Sequence, residues 1–486
     1  MKLAELLRDV DVRETRGATD LEITSVTADS RLVREGALFV AISGTAKDGA
    51  QFIPQAIEKG AAAIVASSPP TAHRQLPTVV VDDARAALAL IAANFYNRPA
   101  ENLSLVGVTG TSGKTTTTKM IESIFDASGD PAGLIGTIEY RAGDERLVAD
   151  RTTPDGVVLQ EWFRKMVDAG VRHAVMEVSS HALALKRTHG IRFAAAVFTN
   201  LSRDHFDFHK DFDDYFAAKR ILFTQSPIGV VNLDDEYGAR LANELGDAAI
   251  TFGRSAMIRP ADNFTVDVHG LNGIVHTPHG DVRVASQLLG TPNLYNWLGA
   301  IGAALAVGIP ITTIEAGIRN LTAVRGRFER VGESEPTIIV DYAHKPDALE
   351  KLLHAVRDLA KDKRIVLLVG CGGDRDKGKR PEMGEIAGRL ADFTILTSDN
   401  PRSEDPNAIL DDIEKGIRGN YTRIAERRDA IARAIGEATN DDVIVIAGKG
   451  HETYQVIGDR IVHFDDREEA ELALKKRDKK AVSNTV

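Results

Sequence analysis

The sequence predicts an α/β protein of three domains: a small N-terminal α/β domain over residues 1–99, a central doubly wound parallel sheet over 100–328, and a C-terminal Rossmann-like domain over 329–486. Three observations predict it. At 486 residues the chain exceeds what one ordinary core serves. Apolar runs of strand length alternate with helical patterns along the chain, as in parallel sheets covered by helices. Many of those runs stop at glycine, amide or charged residues, as strands do at a ligand-bearing edge.

Composition narrows the class. With 43% hydrophobic and 27% charged residues the chain reads as a soluble globular protein. A net charge of −10 argues against a nucleic-acid groove as the main function. The single cysteine, Cys371, excludes an intramolecular disulfide and a cysteine metal cluster. The start MKLAELLRDVDVRET has no apolar signal core, and no apolar run approaches spanning length, so no membrane anchor and a cytoplasmic location are expected.

In residues 1–99, strand-like runs ITSVTADSR, GALFVAI, AAAIVAS and TVVVDD alternate with helical FIPQAIEKG and ARAALALIAANFY. NRPAEN, 97–102, has the polar, proline-bearing look of a linker.

The central block opens on LSLVGVTGTSGKTTTT, Leu103 to Thr118. It reads as a buried strand, a glycine-rich turn and a helix starting on Lys-Thr-Thr. Gly110 and Gly113 let backbone N–H groups approach phosphate oxygens. Lys114 supplies a positive charge, the Thr115 hydroxyl suits Mg²⁺, and the helix start directs its dipole at the anion. A standard phosphate loop has glycine where this chain has Val108; Gly107 and Gly110 flank it. A dinucleotide fingerprint, GxGxxG, is absent. The block is therefore expected to be a P-loop fold binding a nucleotide triphosphate.

The runs HAVMEVSS (173–180), AAAVFTN (194–200) and GVVNLDD (229–235) then put Glu177, Ser179, His181, Asn200 and Asp234 at the carboxyl edge of the sheet, beside the loop. A carboxylate ending an apolar strand is costly unless paired or metal-bound, so Glu177 is a candidate Mg²⁺ ligand. In TNLSRDHFDFH, 199–209, an extended chain would set His205, Asp207 and His209 on one face. That suits a metallohydrolase site, a loop in which His205 alone meets Mg²⁺ or its waters, or a plain polar connection. Lys219, mid-helix in DDYFAAKRILF, reads by itself as a solvated lysine. In GTPNLYNWLGAIGAAL, Asn293 either caps the helix or, with Asn296 as the alternative, bonds a nucleobase. Arg327, in VRGRFERV, is either a hinge arginine reaching the γ-phosphate or an exposed boundary residue.

The C-terminal block brings TIIVDYAH, RIVLLVGCGGDRD, FTILTSDNPR and DVIVIAGKGHE, four strands ending in charge and glycine. Asn400-Pro401 is a turn signal. Taken together, Arg375 and Arg402 suit bidentate grip of a carboxylate, while Asp399 and Glu452 suit ammonium groups. Such a pocket selects a small zwitterionic ligand. The tail KKRDKKAVSNTV is expected to be a frayed, solvated end.

Eleven motifs in order carry a resemblance: TADSR, TGTSGKTTTT, MEVSSHAL, FTNLSRDHFDFH, YFAAK, PNLYN, GRFE, VDYAHKPDAL, GCGGDRDKGKRP, SDNPR and AGKGHE. The chain resembles the ATP-dependent Mur ligases of cell-wall synthesis, over almost its whole length. The resemblance implies a UDP-binding first domain, an ATPase second and an amino-acid-binding third. It implies that Ser30, Thr152, Thr153, Ser179 and Arg187 contact the substrate UDP-N-acetylmuramoyl-L-alanyl-D-glutamate. Gly110, Thr111, Ser112, Gly113, Lys114, Thr115 and Thr116 bind ATP phosphates, with Asn293, Arg327 and Asp341 also near ATP. Thr115, Glu177, His205 and Lys219 form the Mg²⁺ set, Lys219 as a carbamate; Lys114, Lys219 and His205 are the expected catalytic residues. Arg375, Asp399, Asn400, Pro401, Arg402, Gly448 and Glu452 match the site for meso-2,6-diaminopimelate, and the arginine of DNPR distinguishes members that take it from those that take lysine. A monomer is expected.

Departures are modest. Ser112 stands where asparagine is frequent, Leu185 where some members have glutamine, and the loop SGTAKDG differs from some relatives. The implied reaction phosphorylates the D-glutamyl γ-carboxylate and lets the amine displace phosphate, with closure of the third domain over the second excluding water. Three rivals fit less of the chain. Folylpolyglutamate synthetase gives no reason for DNPR or a UDP domain. An NTPase switch leaves the C-terminal rim unused and lacks NKxD. A metallohydrolase leaves the phosphate loop unexplained.

Overall fold

The structure, a computed structural model, describes residues 1–44, 48–69, 76–333 and 335–483. Backbone proximity divides the chain into two compact units. One holds Met1–Arg259, Thr277–His279 and Leu298–Gly317; the other holds Pro260–His276, Gly280–Trp297 and Ile318–Val486.

The first unit contains two sheets. In the N-terminal five-stranded sheet, Ser25–Thr27, Ala37–Ala41, Ala61–Ala66 and Thr78–Val81 run parallel, and Val12–Arg16 adds antiparallel to the last of them. The helix Ala84–Phe95 packs Leu88 and Ile91 on it, and the Asp83 carboxylate caps it by accepting from the Arg85 and Ala86 N–H groups. The expected linker is instead a packed turn. Pro99–Asn102 forms a 3₁₀ helix, and Ala100 enters the neighbouring core, so an apolar pair inside a polar string decides its structure.

The eight-stranded central sheet has the expected parallel core. Ser104–Thr109 lies between His173–Glu177 and Ala195–Phe198, with Gly229–Asn232 and Ala249–Phe252 beyond the latter and Gly133–Ile135 beyond the former, all parallel. Its other edge is an antiparallel meander, Glu139–Ala142 and Glu145–Val148. Gly143-Asp144 allows only a two-residue hairpin loop there, whereas a parallel return needs a crossover. Gly107, one of the glycines flanking Val108, belongs to the strand. A Cβ on it would sit 2.9 Å from Leu222 and 3.0 Å from Phe193, so it serves packing.

The second unit contains a four-stranded sheet from residues 259–286 and a six-stranded C-terminal sheet. The latter orders Glu329–Val331, Thr337–Asp341, Asp442–Ala447, Arg364–Val369, Phe393–Leu396 and Tyr421–Arg423, parallel except for the first pair. The four strands carrying the charged motifs are therefore adjacent and parallel, and they end on one edge. The tail is not frayed as expected. The helix Asp466–Ser483 runs through the lysines because Ala470, Ala473 and Leu474, at helical spacing, enter the core. Residues 484–486 lie outside the described part. Among the described residues no helix is long and apolar enough to cross a membrane.

Candidate functional site

Two constellations stand at strand ends, one in each unit. In the first, the strand Ser104–Thr109 delivers the chain to Gly110, whose φ of +148° is open to glycine, and a Cβ there would lie 1.9 Å from the Thr199 hydroxyl oxygen. Gly113, at φ +86°, opens the helix Lys114–Asp126, and no side chain caps that end. A helix start of this kind directs its dipole at an anion. Asn200 clasps the loop. Its backbone oxygen accepts from the Thr111 N–H at 2.8 Å, its side-chain oxygen from the Ser112 N–H at 3.0 Å, and its amide donates to Ser112 O. Ser112, the departure from asparagine, enters through its backbone. Thr116 is buried in the first turn of that helix. Lys114 Nζ donates to Gly110 O and Thr111 O, both at 2.9 Å, curling over the loop where terminal phosphates would lie.

Beneath the loop, Glu177 is buried at the end of its strand. Its carboxylate accepts from the Thr115 hydroxyl at 3.0 Å, the Thr137 N–H at 2.7 Å and the Thr137 hydroxyl at 3.0 Å. Thr137 carried no signal in the sequence. A buried carboxylate beside a hydroxyl, with no cation hydrogen-bonded to it among the described residues, is a hard-oxygen donor pair that fits Mg²⁺.

Lys219 is not the solvated lysine its helix pattern suggests. It is 1% exposed, donates to Gly110 O at 2.7 Å and lies 4.4 Å from the centre of the Tyr215 ring. Burial first and then Lys114 push its ammonium well below the usual lysine range, against an opposing pull from Asp204. A neutral amine is thereby favoured, the form that reacts with CO₂ to give a carbamate.

The expected single face of His205, Asp207 and His209 does not form. His205 adopts φ +57° and its carbonyl accepts from both Phe208 and His209 N–H groups, so the segment turns instead of extending. His209 is consumed structurally, between Ser180 Oγ at 2.9 Å and Asp214 at 3.2 Å. His205 lies edge-on to His181 and 3.4 Å from the Asp204 carboxylate. Among the described residues no group of three or more His, Cys, Asp and Glu is disposed around a metal position, and the metallohydrolase reading loses its basis.

The residues expected at the nucleotide-sugar substrate are linked. Thr153 Oγ1 donates to Glu177 O at 2.9 Å and accepts from the Ser179 N–H; Arg187 donates to Thr153 O at 2.7 Å; Thr152 and Thr137 hydroxyls pair at 3.0 Å. Arg187 borders a cavity of about 170 Å³ also lined by Arg85, Arg151, Asp155, Leu185 and Lys186. Leu185 makes that wall apolar where glutamine would be polar. Arg85 and Arg151 had no motif to announce them. Ser30 stands on the N-terminal sheet's side, donating to Gln55 at 2.7 Å. In the loop SGTAKDG, Thr45 to Lys47 lie outside the described residues.

In the second unit, Asn293 is buried and donates to Leu289 O, and it accepts from Asn296, so the two amides form one pair. The Asp341 carboxylate accepts from Phe328 and Ala343 N–H groups at 2.7 and 2.8 Å. Burial raises its pKa, opposed chiefly by Arg327. Arg327 packs over Tyr342 at 4.7 Å and its Nε has no hydrogen-bond partner.

Several charged residues from the strand ends lie close together. Arg402 donates to Gly373 O, and its Nη1 and the Arg375 side chain both flank Gly372, with Arg375 exposed. Asp399 and Asn400 are buried, and Asn400 donates to Glu452 at 2.9 Å. Pro401 O accepts from the Glu404 N–H, closing the turn, and Gly448 stands with a Cβ direction 3.8 Å from Asp399 Oδ2. Two buried arginines that the sequence did not announce hold this rim. Arg380 ties Glu404, Asp412 and Gly372 O together and holds the Glu404 carboxyl well below its usual range. Arg427 pairs with Asp466 through two 2.7 Å bonds and donates to Ser398 O and Ala447 O, pinning two strand ends at once.

Family models match in three stretches: the Mur ligase family catalytic domain at 22–96, the Mur ligase middle domain at 108–304 and the Mur ligase glutamate ligase domain at 326–450. The chain is similar to UDP-N-acetylmuramoyl-L-alanyl-D-glutamate–2,6-diaminopimelate ligase of Geobacter metallireducens, 44% identical over 98% of each chain. A solved structure of a ligase of that name superposes with a TM-score of 0.73 at 29% identity, covering 98% of this chain and 99% of the other. The MurF ligase of Thermotoga maritima in complex with ADP shares the fold, with a TM-score of 0.57 at 19% identity, covering 94% and 98%.

Proposed function

Since the chain belongs to the Mur ligase family, we propose that it is the ATP-dependent amide ligase that adds meso-diaminopimelate to the D-glutamyl γ-carboxylate of UDP-N-acetylmuramoyl-L-alanyl-D-glutamate, in peptidoglycan precursor synthesis. The carrying observation is that Arg375, Arg402, Asp399 and Glu452 stand around one rim, all acting on Tyr454. That set matches a ligand end bearing both a carboxylate and an ammonium, which diaminopimelate has and the lysine side chain lacks.

A carboxylate is a poor electrophile at neutral pH, so it must be activated. The γ-carboxylate oxygen attacks the γ-phosphorus of ATP and ADP leaves. The amine of diaminopimelate then attacks the acyl carbon and phosphate departs. The protein contributes positioning and charge. The Gly110–Thr116 loop binds the phosphates with Lys114 neutralising them, and Asn293, Arg327 and Asp341 are assigned to ATP by the family pattern. Thr115, Glu177, His205 and a carbamylated Lys219 would hold Mg²⁺, which supplies Lewis-acid neutralisation of the phosphate charge when bound. Thr152, Thr153, Ser179, Ser30 and Arg187 receive the nucleotide-sugar peptide, and the cationic cavity beside Arg187 suits its anionic groups. We assign residues 1–99, 100–328 and 329–486 to substrate, ATP and amino acid respectively, in a cytoplasmic monomer.

The test is direct. Purified protein with Mg·ATP and the UDP-muramoyl dipeptide is offered meso-diaminopimelate or L-lysine, following phosphate release and product mass. Tripeptide with diaminopimelate alone is expected. Product with lysine instead overturns the amino-acid assignment, and no product with either overturns the ligase reading.

A further inference from the structure

Lys449, inside GKGHE, is fully buried, which for a lysine is costly without compensation. Its Nζ lies 3.1 Å from Asn400 Oδ1, 3.3 Å from Glu452 Oε2 and 3.5 Å from Asp399 Oδ1. Asn400 bridges the group, since its amide donates to the same Glu452 oxygen. Arg427 also acts on both carboxylates but is paired with Asp466, while Arg375 and Arg402 stand around the same rim on the Gly372 side. Lys449 is the cation in direct contact with both Asp399 and Glu452, so before the rim arginines are counted these three groups carry a formal net charge of −1. Asp399 Oδ1 is left without a hydrogen-bond partner, its ion-pair distance to Lys449 being long.

We infer that Lys449 is a positioning residue for amino-acid selection: it holds the Asp399 and Glu452 carboxylates together at a net charge of −1, so that the pocket accepts one ammonium group and Asp399 Oδ1 receives its proton donor. The inference rests on the ligase reading above and adds a residue to it. Without Lys449 the buried Asp399 carboxylate and the half-buried Glu452 carboxylate would repel each other unbalanced, which favours protonation of one over binding of an amine. With it, like-charge repulsion is removed without filling the last acceptor. Arg402 and Arg375, on the Gly372 side, take the carboxylate of the same ligand end.

The experiment uses the full chain and steady-state kinetics in all three substrates. Lys449→Met is expected to raise KM for meso-diaminopimelate by about 30-fold, as for loss of one partner of a buried charge cluster, with the KM values for ATP and the nucleotide substrate changed less than about twofold. The double variant Lys449→Met/Glu452→Gln restores the charge count and should recover roughly fivefold or more of that loss. A lysine acting only as structural filler would leave the double variant no better than the single, which overturns the inference. Where Lys449→Met does not fold, the double variant is compared with Glu452→Gln alone: tighter diaminopimelate binding by the double supports the charge count, and equal or weaker binding sinks it. Wild-type protein that ignores diaminopimelate refutes the ligase reading itself; wild-type turnover with an unmoved KM in Lys449→Met refutes only this inference.

Discussion

The phosphate loop of the first unit and the charged rim of the second solve opposite problems. In the proposed function the loop takes an anion mainly with backbone N–H groups, drawn from one contiguous stretch, Gly110 to Thr116, and braced by Asn200. The rim is proposed to take a zwitterion with side chains from strand ends far apart in the chain, held by buried Arg380 and Arg427. A backbone site tolerates side-chain change and is written locally. A side-chain site depends on what lies beneath it, and its failure is more often a loss of shape than of charge.

The contrast can be broken, largest effect first. Lys114→Met should lower kcat by about 10⁴-fold, as for removal of a cation from a transferring phosphoryl group, with unfolding unchanged. Phosphate release in single turnover checks this, and a loss below tenfold would remove Lys114 from the chemistry. Arg427→Leu leaves Asp466 buried and unpaired and should cost about 3–5 kcal/mol of stability, read as the urea midpoint, while the loop variant costs almost none. If both variants unfold alike, the distinction between the regions fails. Arg402→Leu should raise KM for diaminopimelate about 100-fold without moving KM for ATP.

The smallest effect sharpens the first site. Lys219 has its pKa lowered by burial, so the folded state binds fewer protons than the unfolded chain below the ordinary lysine pKa. Stability of CO₂-free protein therefore rises with pH between the lowered folded value and the unfolded one, by up to ~1.4 kcal/mol per unit. Lys219→Met should abolish that portion of the slope between pH 7 and about pH 9, seen by urea unfolding at both ends. An identical slope in the two proteins would mean that Lys219 stays charged when folded.

Much of this was legible in the chain. The phosphate loop, the parallel strands around it and the charged strand ends follow from short-range pattern, because strand length, glycine placement and helix starts are set by neighbours in sequence. The misreadings have a common form. NRPAEN was polar enough to suggest a linker, but Pro99 and Ala100 are buried; the lysine-rich tail looked solvated, but Ala470, Ala473 and Leu474 anchor its helix. In each, two or three apolar residues outweighed a polar background. The antiparallel strands at 139–148 likewise came from a two-residue hairpin loop between short strands, one of them fully exposed, which leave no apolar run in the chain.

By itself the sequence determined the α/β architecture, the anion-binding loop and the identity of the groups available for chemistry, since these depend on local conformation and residue type. Only the tertiary structure decided their state. It buried Lys219 against Gly110, paired Glu177 with Thr115 and Thr137, turned the His205–His209 segment out of line, and set Lys449 between Asp399 and Glu452. Charge and proton affinity are governed by desolvation and by neighbours a few ångströms away, and those neighbours come mostly from positions far along the chain.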